Sequence, residues 1–304
     1  MTLVNMTQLL DVAKKNHFAV GAYNVSDLEL MRITIEQCEA DYCPAIVMIH
    51  PTELRYCKDD FIAYVLTRIR DSKIPVALHL DHGDSVDSAA RAIHDGFSSV
   101  MIDMSLKDWD TNVKETAETV KMAHRVGVSV EGEVGTIGQN NVHQEGNKFV
   151  GQKKEGIYTT PEEAVKFVKD TGVDTLAVAI GTSHGIYPSD VKPKIRIDIL
   201  KKIVNALPNT PLVLHGGSSN PDDQIADAVK NGISKVNISS DYKHAYMKAV
   251  RKILSENDGW DPNTLFPPAL DAGKKIIHHK NELFNSVGKA KLYEGMDPWR
   301  AEKI

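Results

Sequence analysis

No stretch of this sequence stays apolar for the ~20 residues that a membrane-spanning helix needs. Its opening, MTLVNMTQLLDVAKKNHFAV, lacks a basic segment followed by an unbroken apolar one. A membrane partner is therefore not expected, and the cytoplasm is the expected location. Cysteine is scarce. Cys38, Cys43 and Cys57 are odd in number and lack zinc-finger spacing, which argues against a secreted disulfide framework. Basic tracts are missing as well. With 36 Lys and Arg against 41 Asp and Glu, the formal net charge is -5, so nucleic acid is not an expected partner. Trp109, Trp260 and Trp299 are too scattered to form a stacking platform. The first apolar run ends in GAYNVSD, which is no nucleotide-binding glycine loop.

What is present is a repeated beat. Short apolar runs fall near 19–23, 44–49, 75–80, 98–102, 128–132, 174–180, 210–214 and 233–238. Amphipathic helical stretches lie between most of them, at 28–40, 61–69, 113–124, 162–168 and 226–230, with further helices at about 241–254 and 266–284. Ser26 with Glu29, Thr160-Pro161-Glu162 and Asn220-Pro221-Asp222 read as helix starts. Eight strand-then-helix units predict an α/β fold. The expected architecture is one (β/α)8 TIM barrel spanning residues 1–304, because its strands are too apolar to be half exposed. A doubly wound sheet is the structural alternative. One long interruption, 134–158, is rich in Gly, Asn and Gln, and predicts a mobile loop after strand five. The last helix is an addition at the C-terminus.

The C-terminal end of each predicted strand carries a polar or ligand-type residue: Asn24, His50, Asp81 with His82, Asp103, Glu131 with Glu133, His184, His215 and Asn237. In a barrel this rim is where active sites are built. His82, His184 and His215 are each followed by glycine and come from three different strands. Three such donors suit a catalytic divalent metal with one open position. Asp81 and His82 are neighbours and can reach one centre only if the strand bends, which Gly83 would make easy. After strands seven and eight, LHGGSS and VNISSD offer the amides of Gly216, Gly217, Ser218, Ser239 and Ser240 to a phosphate at helix starts. Each turn alone also reads as an ordinary helix cap.

GAYNV, ALHLDHG, MIDMS, VEGEVG, TLAVAIGTSHGIY, PLVLHGGSS and KVNISSD occur in order over nearly the whole chain. In these motifs the sequence resembles the class II, metal-dependent ketose-bisphosphate aldolases of the fructose- and tagatose-bisphosphate type. The resemblance implies that His82, His184 and His215 bind Zn2+, and that Asp81 exchanges a proton with the C4 hydroxyl. Gly185, Gly216 and Ser218 would cradle the dihydroxyacetone phosphate end beside Ser239 and Ser240. Asn237 would contact the enediolate, Asn24 would line the pocket, and Asp103 and Glu133 would shape the metal surroundings. It further implies a monovalent cation (Na+ or K+) near the phosphate and a homodimer or homotetramer.

The chemistry agrees with this implication. Breaking C3–C4 of a ketose phosphate leaves charge that a Lewis acid stabilises at the C2 oxygen, while a positioned carboxylate takes the C4 proton. Three positions depart from the family pattern. Where members carry a glutamate-bearing loop segment this chain has GQNN, which leaves Glu145 as the expected proton carrier, ahead of Glu155. Asn263 stands where an arginine for the distal phosphate is usual, with Arg55, Lys58 and Arg300 as substitutes. Ser219 stands where glycine is common. The substrate is therefore a hexose bisphosphate or a ketose 1-phosphate, with His50 able to shape the aldehyde side. Two rivals exist: a class I enzyme with Lys235 as Schiff-base lysine, and a non-catalytic sugar-phosphate-binding barrel.

Overall fold

The apolar runs pair side by side as parallel strands and close on themselves in the computed structural model. It describes residues 3–140, 143–145, 148–150, 153–154, 156–187, 191 and 193–299, with only the backbone given at 139–140 and within 143–154. Elements run α1 (Met6–Lys15), β1 (Val20–Asn24), α2 (Leu28–Ala40), β2 (Ala45–Ile49), α3 (Pro51–Arg70), β3 (Val76–Gly83), α4 (Val86–His94), β4 (Ser99–Ile102), α5 (Trp109–His124) and β5 (Ser129–Val134). Four short strands follow, β6 (Gly138–Asn140), β7 (His143–Glu145), β8 (Lys148–Val150) and β9 (Lys153–Lys154). The chain continues with α6 (Pro161–Thr171), β10 (Thr175–Val178), β11 (Ser183–His184), α7 (Ile197–Ala206), β12 (Leu212–Leu214), α8 (Asp222–Lys230), β13 (Ile233–Ile238), α9 (Ser240–Glu256), α10 (Pro262–Leu265) and α11 (Pro267–Leu283).

The barrel order is β1-β13-β12-β10-β5-β4-β3-β2, so all eight expected strands take part. Their pleat sorts side chains onto two faces. On β3, Leu78 and Leu80 join the apolar layer beneath the helices, while Ala77 faces the barrel interior with Val20, Ala22, Ile46 and Met48. Helix α1 packs Met6, Leu9, Leu10 and Ala13 on that interior set. It thereby plugs one end of the barrel and leaves the other open. At the C-terminus α11 packs against α2 and α9.

Helix starts follow the sequence with two corrections. Thr160 caps α6 with Glu163 reciprocating, as expected. Helix α2 is capped by Asp27, which accepts from the Leu30 N–H at 2.7 Å, and not by Ser26. Asn220 does not cap α8; its side chain donates to the Gly216 and Ser218 carbonyls instead. Within the stretch expected as a mobile loop after strand five, short ladders form: β6 pairs with β9 and β11, and β7 pairs with β8. Among the described residues no helix is long and apolar enough to cross a membrane.

Candidate active site

Strand parity sends Asp81 inward with Ala77 and His79, and would send His82 outward. The structure breaks the pleat at His82 itself, which adopts φ +50°, and the register against β4 shifts between Leu80 and Gly83. A left-handed histidine carries roughly 1–2 kcal/mol of strain. A hydrogen bond between its Nδ1 and Asp103 Oδ2, at 2.7 Å, holds it there. The bend expected at Gly83 thus belongs to its neighbour. Gly83 serves another purpose: a Cβ there would lie 2.4 Å from the Met101 carbonyl oxygen, so only glycine lets β3 and β4 approach. Ser85 caps α4 immediately afterwards, accepting from the Ser88 N–H. The polar end of β3 is therefore both a helix start and the rim of a site.

His82, His184 and His215 meet over the open end, with donor atoms within 4.8 Å of one another. Two of the rings are oriented by carboxylates. His82 turns Nδ1 to Asp103, and His215 turns Nε2 to Glu131 Oε1 at 2.7 Å. Their inner nitrogens, His82 Nε2 and His215 Nδ1, then face each other across 3.0 Å. Two imidazole nitrogens facing each other at that distance share either a proton or a metal ion between them. Ligand nitrogens on a tetrahedral zinc are about 3.3 Å apart, from Zn–N bonds of 2.0–2.1 Å, so the spacing fits a metal. A second set of donors, His82, Asp103 and Glu133, adjoins the first. Glu133 Oε2 is buried with no hydrogen-bond partner among the described residues and lies 3.8 Å from His215 Nδ1. Burial and the Asp103 charge push its pKa well up. Burial pushes His82 down, but Asp81 and Asp103 outweigh it and carry its pKa up to about 10. Burial and the neighbouring imidazoles hold His184 at about 3. The carboxylates around the cluster thus favour one positive charge among the three rings.

Asp81 is buried with one oxygen 3.9 Å from His82 Nε2. Asn24 Nδ2 donates to its Oδ2 at 2.8 Å and Asn237 Nδ2 to its Oδ1 at 3.2 Å. Burial raises its pKa, but His82, His215, Lys235 and Asn24 prevail and keep it ionised, below the usual carboxylate range. Asn24 is anchored in turn by the Tyr242 hydroxyl on its carbonyl. The cleft above, about 440 Å³, is lined by Asn24, His50, Glu53, Asp81, His82, Asp103, Glu133, His184, Gly185, Ser239 and Ser240, among others. His50 both lines it and caps α3 through Nδ1.

The glycine-serine turns converge beside this cleft. Gly185 and Gly216 have φ +94° and +62°, and a Cβ on Gly216 would strike the Ser183 backbone at 2.6 Å. Ser218 Oγ lies 3.4 Å from the Ser239 and Asp241 amides at the start of α9. The Gly217 N–H is already engaged by the Asn237 carbonyl at 3.0 Å. Ser219 takes φ +58°, the conformation glycine adopts freely, and its N–H bonds to Asp241.

Residues 4–289 match the family described as class II fructose-bisphosphate aldolase. The chain belongs to that family. The aldolase is 36% identical over 310 residues to the fructose-bisphosphate aldolase of Thermus caldophilus, covering 95% of this chain and 100% of that one. It is 37% identical to that of Geobacillus stearothermophilus, covering 95% and 99%. Its structure resembles the YdjI aldolase of Escherichia coli K12 with a TM-score of 0.82 at 30% identity, over 95% and 99% of the two chains. The aldolase is metal-dependent and works by reversible retro-aldol cleavage.

Other expected residues are placed less directly. Glu145 lies on β7, but its side chain is outside the described residues, as are Glu155 and Arg300. Asn263, on α10, is exposed and does not line the cleft. Lys235, the Schiff-base rival, is fully buried and salt-bridged to Glu131 at 2.7 Å, out of a substrate's reach. Sequence reading missed Glu53, which pairs with Lys243 and accepts from the His50 N–H. Its position three residues after His50, as in a capping box, was the available signal.

Proposed function

We propose that this cleft cleaves fructose 1,6-bisphosphate to dihydroxyacetone phosphate and glyceraldehyde 3-phosphate, and joins them in reverse, with Zn2+ held by His82, His184 and His215. The observation that carries this is the pair of carboxylate-oriented imidazoles facing each other at 3.0 Å, with the ionised Asp81 beside them. When bound, zinc supplies Lewis-acid charge for the oxygen that becomes anionic. Asp81 accepts the C4 hydroxyl proton as C3–C4 breaks and returns it in condensation. Asn24 and Asn237 fix both its oxygens. Asn237 Oδ1 is buried with no partner among the described residues, and a ketose hydroxyl would supply its donor. Asp103 and Glu133 border the metal and can act as alternative ligands.

The ketone-end phosphate is assigned to the amides and hydroxyls around Gly185, Gly216, Gly217, Ser218, Ser239 and Ser240, close to the start of α9. Gly217 contributes by shaping the turn, since its N–H is taken. Proton transfer at the ketone-fragment carbon is assigned to Glu145, the first carboxylate of the loop after β5. From family membership we further infer a Na+ or K+ ion near the phosphate, a homodimer or homotetramer, one domain across residues 1–304, and a cytoplasmic location.

One observation favours a second reading, tagatose 1,6-bisphosphate aside. The described residues lining the cleft include no Lys or Arg, which would suit a ketose 1-phosphate whose aldehyde end is uncharged. The test is cleavage of fructose and tagatose 1,6-bisphosphates, with EDTA and then with Zn2+ restored. Loss and recovery of cleavage are expected. Zinc binding without cleavage of either sugar would move the assignment to ketose 1-phosphates.

A further inference from the structure

We infer that Glu131 is a positioning residue for the metal ligand His215: by accepting the Nε2 proton, it leaves Nδ1 as the nitrogen that faces the metal. The inference rests on His215 being a ligand, as proposed above. Glu131 lies on β5 beneath the site, completely buried. Its Oε1 accepts from His215 Nε2 at 2.7 Å and its Oε2 from Lys235 Nζ at 2.7 Å, with His79 Nε2 3.6 Å from Oε2. Lysine can only donate. Lys235 therefore fixes one oxygen, and the other must take the imidazole proton. Histidine ligands are commonly oriented this way by a carboxylate on the outer nitrogen.

The same geometry makes a sharp prediction for Glu131→Gln. Its single oxygen must face Lys235, so its NH2 faces His215 Nε2 and demands a lone pair there. The ring then carries its proton on Nδ1, aimed at the metal position. Zinc affinity, measured by chelator competition, should fall about 10- to 100-fold. Adding Lys235→Met frees the amide to turn its oxygen toward His215. The double variant should recover most of the lost affinity. A merely structural charge pair would not give this rescue, because the double variant would then bind no better than the single one.

Wild-type zinc affinity in Glu131→Gln, or no recovery in the double variant, would overturn the inference. If Glu131→Gln does not fold, Glu131→Gln/Lys235→Met is compared with Glu131→Leu/Lys235→Met. Only the first retains an acceptor for His215, and it should bind zinc at least tenfold more tightly; equal affinities would refute the assignment. His215→Ala separates the two levels. If it binds zinc as wild type, the metal-ligand reading itself fails, whatever the Glu131 variants do.

Discussion

Replacing Asp81 with asparagine separates the two proton transfers that a retro-aldol enzyme must perform. Both partners of the Asp81 carboxylate are amide donors, Asn24 Nδ2 at 2.8 Å and Asn237 Nδ2 at 3.2 Å. Asparagine offers one oxygen in place of two, so one donor is left facing an NH2. An unsatisfied buried group costs about 1–3 kcal/mol. The chain should therefore still fold, with a modestly lower melting temperature. Catalysis should suffer more. Loss of a positioned general base lowers the rate by about 10²–10⁴, which is roughly 3–5 kcal/mol of transition-state stabilisation.

The loss should be confined to the step at C4. Exchange of the carbon-bound proton of dihydroxyacetone phosphate with solvent requires enediolate formation but no C4 hydroxyl. In Asp81→Asn that exchange should stay within about tenfold of wild type while cleavage of fructose 1,6-bisphosphate falls by the full factor. Bound zinc, counted per chain, should be unchanged. Cleavage reduced less than tenfold in a folded, zinc-loaded variant would refute the assignment of Asp81 as the base. So would exchange that falls in step with cleavage.

Gly83→Ala brings a Cβ to 2.4 Å from the Met101 carbonyl oxygen and 2.9 Å from Leu80, so thermal unfolding should show a loss of about 1–3 kcal/mol. A variant as stable as wild type would contradict the close approach of β3 and β4. Borohydride added with substrate should trap no adduct at Lys235, because that ammonium is buried against Glu131; a reduced adduct found by mass spectrometry would restore the class I mechanism. His79 is buried, and burial together with Lys235 holds its pKa at about 3. The unfolded chain, with an ordinary histidine pKa near 6.5, therefore binds the extra proton between these values. Stability should fall as pH drops below about 6.5, by roughly 1.4 kcal/mol per unit for this residue. Urea unfolding of His79→Asn at pH 7, 6 and 5 should show a slope shallower by about that amount, and an unchanged slope would refute it.

How far the sequence could be read depended on whether each signal was local. The barrel was legible because eight apolar runs stand out against amphipathic helices, and the rim was legible because polar residues end those runs. The capping of α2 was misplaced by one residue because Ser26 and Asp27 are equally good cap types, and only backbone direction decides between them. The layer beneath the site was hidden for a different reason. Glu131 and Lys235 are far apart in the chain and sit on strands that are not neighbours, so their side chains meet across the interior only because the barrel closes. His82 shows the limit most clearly. Alternation places Asp81 and His82 on opposite faces, so any reading that uses both in one site needs a break in the strand. Glycine is the residue that normally makes such a break, which pointed to Gly83. The structure needs Gly83 flat and close to β4, and puts the left-handed turn on the histidine. Asp103 compensates the strain by binding His82 Nδ1, and the same bond turns Nε2 toward the other imidazoles. The strained residue is thus tolerated because the contact that orients its ring toward the proposed metal position also holds its backbone. Replacing Asp103 should therefore disturb the strand end and the metal site together.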